Sequence, residues 1–192
     1  MKYLVIGLGN IGAEYKNTRH NIGFKIIDYL AQSKDATITT ERYGDVAQIK
    51  IKGRSITLLK PSTYMNLSGN AVRYWMQQLS LDETQILVLV DDIAIPFGTL
   101  RMRKNGSDAG HNGLKHINEI LTHQNYARLR FSIGGNFARG FQADYVLGQW
   151  SDDETKLLPE LIEKSAQAVT TFIMMGVDKA MNTVNIKPKK EQ

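Results

Sequence analysis

Lys2-Tyr3-Leu4-Val5-Ile6-Gly7-Leu8-Gly9-Asn10-Ile11-Gly12 begins as a strand and closes as a glycine turn. Leu4-Val5-Ile6, a brief apolar run between Lys2 and Gly7, predicts a buried central strand of a parallel sheet, because such strands are covered on both faces and lack polar alternation. The glycines match the dinucleotide-binding pattern, in which backbone approaches a pyrophosphate at a helix N-terminus. That pattern needs a helix to open at once. Residues 14–21, Glu-Tyr-Lys-Asn-Thr-Arg-His-Asn, carry no apolar stripe, and helical spacing resumes only at Ile22. No strand ending in Asp or Glu follows about 20 residues on to hold a ribose. The segment reads instead as a polar loop at the carboxyl end of a parallel strand, where open α/β sheets bind ligands. It carries Asn10, Tyr15, Arg19, His20 and Asn21.

Outward from this loop, strands and helices alternate. Gln48–Ile51 and Ser55–Leu59 flank Lys52-Gly53-Arg54 and predict a hairpin, and Ile86–Val90 is a second fully apolar strand. Thr99–Arg103 and Arg128–Ile133 alternate, which predicts strands with one wetter face each. Helical spacing appears at Ile22, Ile26, Ile27 and Leu30, at Val72, Trp75, Met76 and Leu79, and at Leu114, Ile117, Ile120 and Leu121. The last helix is the longest, with Leu157, Leu158, Leu161, Ile162, Ser165, Val169, Phe172 and Ile173 on one stripe, a capping box at Ser151…Glu154, and Gly176 as its stop. Pro159 predicts a kink or restart within it. The order is mixed α/β, and 192 residues suit one domain. Residues 1–186 are expected to form it, with 187–192 a disordered basic tail.

The composition, 42% hydrophobic and 22% charged, is that of a folded globular chain. No apolar run approaches the roughly 20 residues that span a bilayer. The first residues are too short an apolar run for a secretory signal, so a cytoplasmic protein is expected. Without cysteine the chain has no disulfide, no thiolate metal site and no thiol nucleophile. A net charge of +5 leans toward anionic partners, and the bias is local: Arg101, Arg103 and Lys104 cluster, Arg128 and Arg130 follow, and Lys187, Lys189 and Lys190 end the chain.

Three further loops carry polar chemistry. Pro61–Gly69 holds Tyr64 and Asn66, with Ser68 placed as a helix N-cap. Asp91 and Asp92 follow the most apolar strand. The glycine-rich segment from Asn105 ends in Gly110-His111-Asn112-Gly113 before a helix. Singly, each residue has an ordinary structural explanation: a loop histidine is commonly solvated, and Asp and Asn favour turns. His116 and His123, seven apart, read as one surface face of that helix. No His-Glu-x-x-His occurs and His111 and His116 diverge, so no metal site is expected. There is no Gly-x-Ser-x-Gly elbow.

Together these motifs are specific. From end to end the chain resembles the bacterial peptidyl-tRNA hydrolase family, through Val5–Gly12, Thr18-Arg19-His20-Asn21-Ile22-Gly23, Tyr64–Gly69, Val90-Asp91-Asp92, Gly110–Lys115, Arg128-Leu129-Arg130 and Asp144-Tyr145-Val146-Leu147. The resemblance implies a single-domain α/β fold with a twisted, mixed, mostly parallel sheet flanked by helices and a long C-terminal helix. It implies a monomer that needs no cofactor or metal and hydrolyses the ester between a peptide and the 3′-terminal ribose of tRNA. His20 would be the general base, Asp91 its orienting partner, and Asn10, Asn66 and Asn112 the amides contacting the peptide end and the attacked carbonyl. Asn10 would accept the last peptide N–H. Tyr15, Tyr64 and His111 would meet substrate, and Arg103 and Arg130 would clamp the 5′-phosphate of the acceptor stem.

Two positions depart from the family pattern. Ala94 replaces an acid near the proline, and Asp108-Ala109 stand where small residues and glycine are favoured. Two other classes stay open at this stage: an RNA-binding adaptor of the same fold without catalysis, and a nucleotide-dependent oxidoreductase carried only by the glycine turn.

Overall fold

A computed structural model describes residues 1–185. The expected disordered tail at 187–192 lies outside the described residues. Among the described residues seven strands form one sheet: β1 (Lys2–Gly7), β2 (Thr39–Glu41), β3 (Gly44–Ile51), β4 (Arg54–Pro61), β5 (Ile86–Asp92), β6 (Leu100–Arg103) and β7 (Ala127–Ser132), in the order β2-β3-β4-β1-β5-β7-β6. The four central strands, β4, β1, β5 and β7, run parallel. β3 pairs antiparallel with β4, β2 with β3, and β6 with β7. The sheet is mixed and mostly parallel, as expected, and the hairpin about Lys52-Gly53 is present.

Among the described residues six α-helices flank it: α1 (Ile22–Gln32), α2 (Ser68–Leu79), α3 (Asn112–Leu121), α4 (Gln142–Val146), α5 (Asp152–Met175) and α6 (Val177–Val184). Strand residues alternate between two apolar layers. Val5, Leu87, Leu89, Leu129 and Phe131 face α1 and α5, whereas Leu4, Ile6, Val88 and Val90 face α2 and α3. Burial on both sides is why β1 and β5 read as unbroken apolar runs. The capping box at Ser151 and Glu154 starts α5, and Gly176 ends it.

Three local expectations change. The long helix runs unbroken through Pro159 from Asp152 to Met175, because Leu158, Leu161, Val169 and Phe172 on either side of it are buried in one layer. Ser68 is the first residue of α2 rather than its cap, and its hydroxyl donates to the Met65 carbonyl at 2.8 Å. All six residues of β7 are buried. Its alternation is real, but the polar face meets the segment 105–111 instead of water.

The glycine turn after β1 serves packing. A Cβ on Gly23, in the first turn of α1, would lie 2.5 Å from both the backbone nitrogen and the carbonyl oxygen of Leu8, and one on Gly7 would strike the Gly23 backbone in return. This mutual approach sets the start of α1 against the end of β1, and so sets the position of the residues just before α1. Gly7→Ala is expected to lower unfolding free energy by about 3 kcal/mol, since neither backbone can yield. Denaturant midpoints of the variant and the wild type check it.

Candidate active site

A cleft of about 730 Å³ opens at the carboxyl ends of β1 and β5. Four segments meet there: the loop after β1, the turn after β4, the end of β5, and the segment leading into α3. Of the residues singled out in the sequence, Asn10, Tyr15, His20, Tyr64, Asn66, Asp91, His111, Asn112 and Arg130 all line it, whereas Arg103 does not. Its opposite wall comes from Gln142, Ala143, Val146 and Leu147 of α4 and just beyond. The motif at 144–147 marked part of this wall, but nothing in its composition signals a site.

The centre is a line of three buried side chains. His20 is the central residue of a short 3₁₀ turn, Arg19–Asn21, immediately before α1. Its Nδ1 lies 2.9 and 3.0 Å from the two carboxylate oxygens of Asp91, which is 3% exposed. His111 approaches from the other side, with Nε2 2.9 Å from Asp91 Oδ1. The two imidazoles are 4.9 Å apart between centroids.

Hydrogen bonding assigns the tautomers. Nδ1 of His111 accepts the backbone N–H groups of Gly113 and Leu114 at 3.1 and 3.4 Å, making this histidine the N-cap of α3. An accepting Nδ1 puts the proton on Nε2, which donates to Asp91. A carboxylate only accepts, so His20 carries its proton on Nδ1, and Nε2 keeps a free lone pair with no partner among the described residues. Burial pulls the His20 pKa down, but the charge of Asp91 and its hydrogen bond more than offset this and raise it above the ordinary value of 6.5. Burial likewise pushes Asp91 up, and the two histidines outweigh it, leaving the carboxyl well below the usual carboxylate range.

His20, Asp91 and His111 are also close enough together to be weighed as metal ligands. Their spacing is that of hydrogen bonds. A metal on Nε2 of His111 would force that ring toward an imidazolate while its Nδ1 still accepts two N–H groups, so the donor set fits a proton network better than a cation.

The amides differ in freedom. Asn10 is pinned: Asn21 brackets its backbone, accepting its N–H and donating to its C=O, both at 2.9 Å, and its own Oδ1 accepts the Met65 N–H at 2.8 Å. Its NH2 has no partner among the described residues, and Oδ1 keeps a second lone pair. Asn66 and Asn112 are exposed on the rim, as is Tyr64 at 59%, and Tyr15 is half-buried.

The two arginines separate. Arg103 is exposed on β6. Arg130 is 7% exposed, 3.4 Å from Asp92, and donates to the Ser107 carbonyl at 2.7 Å, so its guanidinium is already engaged within the wall. A symmetrical two-arginine clamp is not what the fold presents, because β7 is covered by the 105–111 segment. Neither are His116 and His123 one solvated face. His116 accepts the Gly69 N–H at 3.0 Å, tying α3 to α2, and His123 lies beyond the end of α3, 3.1 Å from Glu83.

Of the two departures from the family pattern, Ala94 donates its N–H to Asp92 at 2.7 Å, and Ala109 holds φ +51. That left-handed backbone favours glycine. The Asp108 carbonyl accepts the His111 N–H at 3.0 Å, so this residue takes part in placing His111.

Comparison with known proteins gives one answer. The family model described as peptidyl-tRNA hydrolase matches residues 4–192. Peptidyl-tRNA hydrolases of Cytophaga hutchinsonii and Bacteroides fragilis are each 54% identical over 187 residues, covering 97% of this chain and 100% of theirs. The crystal structure of peptidyl-tRNA hydrolase from Acinetobacter baumannii superposes with a TM-score of 0.89 at 32% identity, covering 95% of this chain and 94% of that one.

Proposed function

The chain belongs to the peptidyl-tRNA hydrolase family, and from that premise we propose that His20, oriented by Asp91, takes a proton from the water that attacks the ester carbon of peptidyl-tRNA. The enzyme hydrolyses the bond between a peptide and tRNA. One observation carries the proposed roles: the run of hydrogen bonds from the α3 backbone through His111 and Asp91 ends on Nδ1 of His20 and leaves its Nε2 without a partner among the described residues, on a side chain that lines the cleft.

The chemistry is balanced. Water loses a proton to Nε2 as its oxygen bonds the ester carbon, and negative charge collects on the former carbonyl oxygen. The imidazolium then returns the proton to the leaving 3′-oxygen of the ribose, and the peptide leaves as a carboxylic acid, whose remaining water-derived proton passes to solvent to give the carboxylate. Asp91 holds the productive tautomer and stabilises the imidazolium. The Asn10 NH2, fixed at its other end by Met65, and the amides of Asn66 and Asn112 are the donors for the oxyanion, where one donor typically contributes about 3–4 kcal/mol. Tyr15, Tyr64 and His111 complete the walls that hold the acyl group and the terminal nucleotide.

Arg103 is the outward cation of the proposed contact with the 5′-phosphate of the acceptor stem, and Arg130, which lines the cleft but is held by Asp92 and Ser107, adds positive potential from within its wall. The protein acts as a monomer in the cytoplasm in this reading. Among the described residues no helix is long and apolar enough to cross a membrane. The glycine turn packs β1 on α1, which removes the support for a dinucleotide site. The assembled base and carboxylate tell against a silent adaptor.

Release of N-acetylated amino acid from tRNA tests the reading. The rate is expected to survive excess EDTA, and its loss there would overturn the metal-free mechanism. With Arg103→Ala, substrate affinity is expected to fall, and its log–log slope against salt to shrink by about 1, as when one phosphate contact is lost. An unchanged slope would remove Arg103 from the contact.

A further inference from the structure

Arg128 lies outside the cleft and is completely buried, yet among the described residues it has no carboxylate partner. Its two Nη groups donate to backbone carbonyls in two separate places, and Nε is left without a partner among the described residues. Nη1 donates to Gly106 at 2.6 Å and Ser107 at 3.3 Å, and Nη2 to Gln124 at 2.9 Å and Tyr126 at 3.3 Å. The charge sits 4.2 Å from the centroid of the Tyr126 ring. Burying an unpaired cation is costly, and a core built for stability alone is served as well by an apolar side chain of similar volume.

What the charge holds is the segment that carries His111. The Gly106 and Ser107 carbonyls are drawn onto Arg128, and the Ser107 carbonyl also takes Arg130, which is tied to Asp92. One residue on, the Asp108 carbonyl receives the His111 N–H, and His111 reaches Asp91, the neighbour of Asp92. A closed ring results, running from β5 through Arg130 and the loop back to β5, with Arg128 anchoring the loop to β7 from below.

The geometry points to Arg128 as a positioning residue for the hydrolysis: it holds the 105–111 segment so that His111 keeps its hydrogen bond to Asp91 and the carboxylate is shared between two imidazoles. This rests on the proposed roles of His20, Asp91 and His111. Asp91 and His111 are the titratable groups that face His20 across the site, and Arg19, its chain neighbour, is paired with Glu154. When the loop drifts, Asp91 loses the His111 donor and gives its full charge to His20, so the imidazolium becomes easier to form and the base is titrated at higher pH.

Arg128→Lys keeps the charge but has one nitrogen, which cannot reach both pairs of carbonyls. Steady-state hydrolysis of N-acetyl-aminoacyl-tRNA is followed between pH 5 and 9, well below the melting temperature, with His20→Ala as the control for the site itself. The expected result is a kcat about tenfold lower with KM changed less than twofold, since small misplacements of catalytic groups act on the chemical step. The acid limb of the kcat profile is expected to move to higher pH. A kcat and acid limb equal to the wild type, or a loss that leaves the acid limb in place, would overturn the inference and leave Arg128 a structural residue. Wild-type amide hydrogen exchange provides a reading that needs no variant. The His111 amide is expected to be protected to within about an order of magnitude of the β7 amides, as a segment anchored to that strand opens with it, and exchange at unstructured-peptide rates would overturn the inference. Full activity in His20→Ala would instead sink the site roles, whatever Arg128 does.

Discussion

Replacing His20 by alanine is expected to lower kcat for N-acetyl-aminoacyl-tRNA by about 10²–10⁴-fold, the usual contribution of a positioned general base. Binding should suffer much less, because the cleft walls from β1, β4 and α4 remain. The wild-type pH profile has a sign that follows from the site. Catalysis needs neutral His20, and Asp91 raises its pKa, so the acid limb is expected above 6.5 and activity should climb as pH rises through it. Stability runs the other way through the same window. A histidine whose folded pKa is raised contributes stability that is fully present below 6.5 and is lost as pH rises through the folded value. His20→Ala should therefore abolish the climb in rate and flatten the fall in stability together. Kinetic profiles and denaturation midpoints between pH 5.5 and 8.5 check both. A variant of wild-type rate would end the assignment.

How much of this could be read from residues alone differs by element. β1 and β5 are visible because both faces are buried and their central residues, Leu4–Ile6 and Ile86–Val90, leave no polar position, and the loops after them follow from where such strands must end. The four-loop convergence follows in turn, since parallel strands deliver their carboxyl ends to one edge. Side-chain direction is another matter. Arg128 and Arg130 alternate with Leu129 and Phe131 as a solvated face would, and no local pattern tells that residues 105–111 cover them. His116 resembles a surface histidine until Gly69 brings the α2 backbone against α3, closely enough for Nδ1 to accept its N–H. Asn10 shows the same limit at the scale of one amide. Its presence in the cleft is legible from the motif, but the bond that ties its Oδ1 comes from Met65, 55 residues away. Local order is written in periodicity, whereas contacts across the sheet depend on the packed whole.

Asp91→Asn is expected to be the more diagnostic change, lowering kcat by about 10³–10⁴-fold, the size seen when an orienting carboxylate becomes an amide beside a catalytic histidine. The hydrogen bonds dictate how the amide must sit. His111 cannot turn its Nε2 into an acceptor without placing a proton on Nδ1, where it would meet the N–H groups of Gly113 and Leu114. The amide oxygen of the variant must therefore face His111, and its NH2 falls where Oδ2 stood, 3.0 Å from Nδ1 of His20. That NH2 crowds the proton on Nδ1, which keeps as acceptor only the oxygen already shared with His111, 2.9 Å away, and so favours the tautomer in which Nε2, the nitrogen that should accept from water, is a donor. The charge effect is separate and has its own sign. With the carboxylate gone, burial alone acts on His20 and draws its pKa down, so the acid limb of whatever activity remains should move from above 6.5 to below it. Stability changes sense as well. Asp91, held well below the usual carboxylate range, contributes stability that is present above about pH 4 and lost as pH falls through its folded value. The amide has no such term, and the variant's stability should decline less steeply toward low pH than the wild type's. A low kcat with an unshifted acid limb would mean that Asp91 acts only by shape, and the general-base assignment of His20 would lose its electrostatic half.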